Sequence, residues 1–298
     1  MNQRRETLLF VHAHPDDETL ATGVALAHYA RLGHDVHVLT CTLGEEGEVI
    51  PAELARLASD RDDALGPWRR EELRRAMAAL GVRHRVLGEA PERGVPSRYR
   101  DSGMAGTPTA EHPRAFVQAD VGEAAALVAD VVRETGADVV VTYDQHGGYG
   151  HPDHIQAHRV TCAAVASLAP GDRPHLYAVL TPRSWAVEDR AWLAEHVPAS
   201  SGWRVPGPAE AFPPSVVDDG AVSHEVVDPS VLPLQAAALR EHRTQVSVAD
   251  GCYALSNDIA ARLPGREGFA RLDPATGELL PPPASLPRAA SLLREVPG

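Results

Sequence analysis

Over the first 180 residues, short uninterrupted apolar runs alternate with longer stretches of helical periodicity, and few architectures accept that alternation. Residues 8–11 are continuously apolar, as a strand buried on both faces should be; 36–40 is a second, β-branched run, and 138–143 is the clearest strand of all. Val86-Leu87 belongs to a further strand. Helical spacing runs through 20–32, 68–80, 119–135 and 152–168. The first three stretches stop at Gly33, Gly81 and Gly136, positions suited to the left-handed residue that closes a helix.

Strand–helix alternation of this kind predicts an α/β fold, a Rossmann-like, mainly parallel sheet flanked by helices. The 298 residues suffice for one large domain or two. Residues 1–180 are expected to form the catalytic α/β domain. Beyond 181 the periodicity fades among proline-dense stretches, and 181–298 reads as an irregular extension packed on that domain, with one helix over 232–242. The segment 89–116, rich in Pro, Gly, Ser and Arg, is too long for an ordinary connection and is a candidate binding loop. The chain carries 28 basic and 41 acidic residues, a net charge of −13, which disfavours a nucleic-acid partner. Every basic residue is Arg, and the absence of Lys excludes Schiff-base chemistry and a P-loop lysine. Cys41, Cys162 and Cys252 form no CxxC pair and read as buried free thiols. No apolar run nears the ~20 residues of a membrane span, and residues 1–7 hold no signal-peptide core. The expectation is a cytoplasmic protein without a membrane partner.

Polar residues stand where two strands end. His12-Ala13-His14-Pro15-Asp16-Asp17-Glu18 follows the first strand, and Tyr143-Asp144-Gln145-His146-Gly147-Gly148-Tyr149-Gly150-His151-Pro152-Asp153-His154 follows the strand over 138–143. Ligands of parallel α/β sheets bind beyond the carboxyl ends of the strands, so both segments face one crevice. Asp16 and Asp17 leave an irregular turn in different directions, so one can bind a cation while the other stays free. Pro152 suits the first turn of a helix, from which His151 and His154 project as neighbours. His14, one Asp and one His make a two-nitrogen, one-oxygen zinc set with a position open for water. The other Asp is then placed as a general base, and the other His to stabilise or protonate a tetrahedral species. Either cluster alone is common at a solvated helix end; their pairing points to a metal. His28, His34, His37, His84, His112, His196 and His224 lack such companions and read as surface or hydrogen-bonded residues. Glu45-Glu46-Gly47-Glu48 reads as a solvated acidic turn near the crevice.

His14-Pro15-Asp16-Asp17-Glu18 together with Gly150-His151-Pro152-Asp153-His154 resembles the LmbE-like (PIG-L) N-acetylglucosaminide deacetylases. Residues 40–48, 100–107 and 147–151 are similar to the branch of that family that deacetylates an N-acetyl-glucosaminyl-inositol in mycothiol biosynthesis. The resemblance spans residues 8–168 and continues more weakly through 239–246 and 254–257. It implies one zinc ion per subunit held by His14, Asp17 and His154. It also implies Asp16 as the general base, His151 as the partner of the oxyanion oriented by Asp153, and Tyr149 polarising the amide carbonyl from a glycine-rich turn. Arg69 and Asp101 align with residues that hold hydroxyls of the pseudodisaccharide. Ferrous iron accepts the same ligand set. Within the family the rival is a mycothiol S-conjugate amidase or another N-acetylglucosamine deacetylase, and 89–116 favours the inositol deacetylase. A dinucleotide-binding protein would carry GxGxxG where His-Pro-Asp-Asp stands. A two-metal phosphoesterase would need bridging carboxylates. A non-enzymatic metal sensor would not need the free Asp. Oligomeric state has no signature in the sequence.

Overall fold

The computed structural model describes residues 5–281 and 287–293; residues 1–4 of the N-terminal segment and Pro282-Pro283 lie outside them. In chain order the elements are β1 (Thr7–His12), α1 (Asp17–Arg31), β2 (Asp35–Thr40), α2 (Leu65–Leu80), β3 (Arg83–Val86), α3 (Val121–Thr135), β4 (Val139–Thr142), the single turn α4 (Gly147–Gly150), α5 (Pro152–Ser167), β5 (His175–Pro182), α6 (Arg183–His196), β6 (Val216–Val217), β7 (His224–Val227), α7 (Leu232–Glu241), β8 (Ser247–Ala249), β9 (Cys252–Ala254), β10 (Ala260–Arg262) and β11 (Arg266–Arg271).

The main sheet runs β3-β2-β1-β4-β5-β11-β7, with β6 beside β5, and β8, β9 and β10 form a separate antiparallel sheet. Pairing is parallel from β3 to β5, whereas β11 is antiparallel to both β5 and β7. Side chains alternate across the strands. Leu9, Val11 and Val140 therefore join one core layer with α3 and α5, while Leu8, Phe10, Val139 and Val141 join the other with α1, α2 and α7. The continuous apolar runs of β1 and β4 follow from that double burial. Gly81 and Gly136 close α2 and α3 at φ 72° and 64°, as their places in the sequence predict.

Three features differ from the sequence reading. Helix α1 begins at Asp17, ahead of the apolar periodicity, because its first turn is built from Asp17, Glu18 and Thr19, polar residues that are nevertheless buried. The helix also breaks at Thr22 (φ −136°, ψ 17°). Residues beyond 181 do more than cover the sheet, since β7 and β11 extend it. Among the described residues, segment 89–116 holds no α-helix and only short 3₁₀ turns and isolated bridges; Tyr99 and Phe116 anchor it in the core. All three cysteines are buried and free. Among the described residues no helix is long and apolar enough to cross a membrane.

Candidate functional site

Strand order reverses at β1, whose neighbours β2 and β4 are reached by connections on opposite sides; in such sheets the crevice at the strands' carboxyl ends takes the ligand. A cavity of about 820 Å³ opens there, lined by His14, Asp16, Asp17, Tyr149, His151 and His154 among others. The two polar segments, more than a hundred residues apart, thus meet across the parallel pair β1–β4.

Asp17 Oδ2 lies 3.2 Å from His14 Nδ1 and 3.2 Å from His154 Nε2. The other nitrogen of each ring is already engaged. His14 Nε2 faces Asp153 Oδ2 at 3.3 Å and Asp101 Oδ1 at 3.4 Å, and His154 Nδ1 faces the Gly147 carbonyl at 3.2 Å. Those partners only accept, so each ring keeps a proton on that side, and the form that binds a metal turns its other nitrogen's lone pair toward Asp17. His154 Nε2 is buried and finds no hydrogen-bond partner among the described residues. Lone pairs converging on a carboxylate oxygen repel unless a cation lies among them, and the spacing approaches the edge of a tetrahedron with bonds of ~2.0–2.2 Å. His151 joins the group, with a ring nitrogen within 4.8 Å of those of His14 and His154. His14, His151 and His154 form a group that could hold a metal ion, and so do His14, Asp101 and Asp153; Asp17 belongs to neither group but lies within 3.2 Å of the His14 and His154 rings.

Asp16 caps α1 at φ 116°, a conformation that side-chain-bearing residues rarely adopt and that costs ~1–3 kcal/mol. Its carboxylate lies 3.2 Å from Arg69 Nη2. Burial pushes Asp16 up to about 7, partly opposed by the Arg69 cation and reinforced by Asp17. Arg69 is itself buried and donates to the carbonyls of Gly44 and Pro15. Asp101 accepts the backbone N–H groups of Gly103 and Glu46. His151 Nδ1 accepts the N–H of Asp153, leaving Nε2 as the donor; burial, then His14 and His154, lower its pKa to about 3, so the ring is neutral. Asp153 therefore meets His151 through its backbone, while its carboxylate serves His14 and the N–H and hydroxyl of Ser102. Tyr149 is half exposed, 5.0 Å from His154 and 6.1 Å from His151 between ring centroids.

Several side chains around the site escaped sequence reasoning. Tyr143 stacks on His154 at 4.2 Å, and its hydroxyl accepts the Ala13 N–H. Ser102 ties the long loop to Asp153. Glu45 and Glu46 are not solvated: Glu45 accepts the Asp101 N–H and Glu46 pairs with Arg100. Gln245, Tyr253, Trp185, Arg262 and Glu267 line the cavity from beyond residue 181. No local pattern marks them, since each gains its place through a contact distant in sequence; only Glu45 and Glu46, just after β2, carried a positional signal.

The family model described as PIG-L, GlcNAc-PI de-N-acetylase, matches residues 9–165. The 1D-myo-inositol 2-acetamido-2-deoxy-alpha-D-glucopyranoside deacetylase of Thermomonospora curvata is 44% identical, over 100% of this chain and 99% of its own. The protein of the same name from Thermobifida fusca is 48% identical over 91% and 94%. Among solved structures, the N,N'-diacetylchitobiose deacetylase of Pyrococcus horikoshii shares the fold, with a TM-score of 0.53 at 17% identity over 94% of this chain and 88% of that one. Matched over more than half its length, with the His-Pro-Asp-Asp and His-Pro-Asp-His turns inside the match, the chain belongs to the PIG-L family of de-N-acetylases.

Proposed function

We propose that this protein is a zinc-dependent N-deacetylase that hydrolyses 1D-myo-inositol 2-acetamido-2-deoxy-alpha-D-glucopyranoside to the free amine and acetate, a step of mycothiol biosynthesis, with one ion per chain. The printed activity of relatives 44–49% identical supports the substrate. The observation that carries the chemistry is the division of labour between adjacent carboxylates: Asp17 faces two ring nitrogens while Asp16 faces a cation. His14, Asp17 and His154 would hold the zinc. Bound there, zinc supplies a Lewis acid and makes water acidic enough to attack at neutral pH.

The remaining steps belong to the chain's own groups. Asp16, poised near neutrality, takes the proton of the attacking water and returns it to the leaving nitrogen, so that water and amide become acetate and amine. His151, a neutral donor, faces the oxygen on which charge develops, and Tyr149 supports it from the glycine turn. Asp153 fixes the tautomer of His14. Arg69 and Asp101 offer donors and acceptors to the substrate's hydroxyls, and residues 181–298 complete the rim on the catalytic part, 1–180. The three buried free cysteines support a cytoplasmic enzyme.

Acetate release from the N-acetylated pseudodisaccharide, followed with metal-stripped and zinc-restored protein, tests this reading. Asp16→Ala is expected to lose at least ~10³-fold in kcat with zinc retained, whereas His14→Ala and His154→Ala lose zinc. Near-normal turnover by Asp16→Ala, or a clear preference for thiol conjugates, would overturn it.

A further inference from the structure

We propose that His242 is a positioning residue for this deacetylation, acting on Asp16 through Glu18. The inference rests on the reading of Asp16 as the base. His242 follows α7, more than two hundred residues from the turn over 16–18, yet its Nε2 lies 3.0 Å from Glu18 Oε1. Both side chains are fully buried. The other Glu18 oxygen accepts the backbone N–H of Asp16 at 3.0 Å. Asp16 is the residue at φ 116°, and the carbonyl of that same residue accepts the first helical N–H groups, from Thr19 and Leu20.

The geometry assigns each partner a task. A residue forced into a disfavoured conformation persists only where its surroundings over-determine it. The Asp16 N–H would otherwise be an unsatisfied buried donor, and Glu18 is its acceptor. Glu18 in turn reaches back across its own turn, and among the described residues two groups besides the Asp16 N–H hold its carboxylate there: the hydroxyl of Thr19 and the ring of His242. Thr19 sits on the same turn and moves with it. His242 is anchored elsewhere, because the chain after it is pinned to α2 by the N–H and hydroxyl of Thr244 on Glu72, at 3.0 and 2.7 Å. His242 is therefore the external reference that sets where the Asp16 peptide points, and with it the Asp16 carboxylate. A buried pair of this kind contributes little net stability, since desolvation offsets the attraction. Its value lies in geometry.

The test uses full-length zinc enzyme and two variants that differ in where a donor sits. His242→Gln can place an amide N–H near the position of Nε2; His242→Asn places it about one bond short. The expected result is His242→Gln within about threefold of the parent kcat and His242→Asn at least tenfold below it. KM, zinc stoichiometry and thermal midpoint are expected to match between the two. Glu18→Gln combined with His242→Asn should lose little beyond the worse single variant. Equal kcat for the two His242 variants overturns the inference, as does a loss confined to KM. Failure of both variants to fold also overturns it, because the pair would then serve stability alone. If the parent enzyme releases no acetate, the proposed function fails instead, and the two failures are distinct.

Discussion

Asp16 and Asp17 are chemically identical neighbours, and the fold gives them different environments. Asp17 looks into a ring of histidines; Asp16 looks at Arg69. The Arg69 cation holds Asp16 lower than burial alone would. Removing that charge raises the Asp16 pKa. As the proposed base, Asp16 works only when deprotonated, so the acid limb of kcat/KM is expected to move to higher pH. Arg69→Leu is expected to shift it by about one unit or more, which a pH profile measures; an unmoved limb would sever Arg69 from the base. Adjacent Asp residues of unequal duty are legible in sequence, because an irregular turn forces consecutive side chains apart. Which arginine faces the free one is not: nothing local separates Arg69 from Arg70 on α2, and burial alone distinguishes them.

Elements whose burial is uniform were the easiest to read. β1 and β4 sit between two core layers and carry unbroken apolar runs. β5 and β11, whose burial is less complete, lack that signature, and α6 buries little beyond Leu193, so its pattern is weak. The glycine turn before α5 was legible as a turn, but its packing was not. Gly147, at φ 60°, lies so close to the start of α5 that an added Cβ would meet His154 Cβ and the Ile155 backbone nitrogen at 2.7 Å. Backbone cannot yield as a side-chain tip can. Gly147→Ala is therefore expected to displace the first turn of α5, and the Gly147 carbonyl that fixes the His154 tautomer moves with it. Zinc affinity should fall at least ~10-fold by competition with a chelator, in line with the loss of an orienting partner, while Gly171→Ala, whose Cβ meets nothing, leaves it unchanged.

At the scale of the molecule, the C-terminal third is threaded into the sheet, and the break in α1 depends on it. β11 lies between β5 and β7, and its Glu267 sends one oxygen to the Val24 N–H at 2.7 Å and the other to the Ala25 N–H at 2.9 Å, just past the break at Thr22. Glu267 thus caps the second half of α1 from a strand more than two hundred residues away. Burial pushes its carboxyl up to about 8, the two backbone N–H groups offsetting only part of that cost. Because the folded value lies above the ordinary 4.5, the stabilising contribution is complete below pH 4.5 and is lost as pH rises through 8. Stability should fall over that window by at most ~1.4 kcal/mol per pH unit from this group. Glu267→Gln cannot titrate, and it turns an amide N–H toward one of the two backbone donors. It should be less stable than the parent at pH 6, with the gap closing toward pH 9, as thermal midpoints across that range will show. Since β11 hydrogen-bonds to β5 on one edge and its Glu267 caps α1, residues 1–180 and 181–298 should melt in one transition at every pH. Two transitions would mean that α1 and the turn over 16–18 can stand without their C-terminal support, which the burial of Glu267 against α1 argues against.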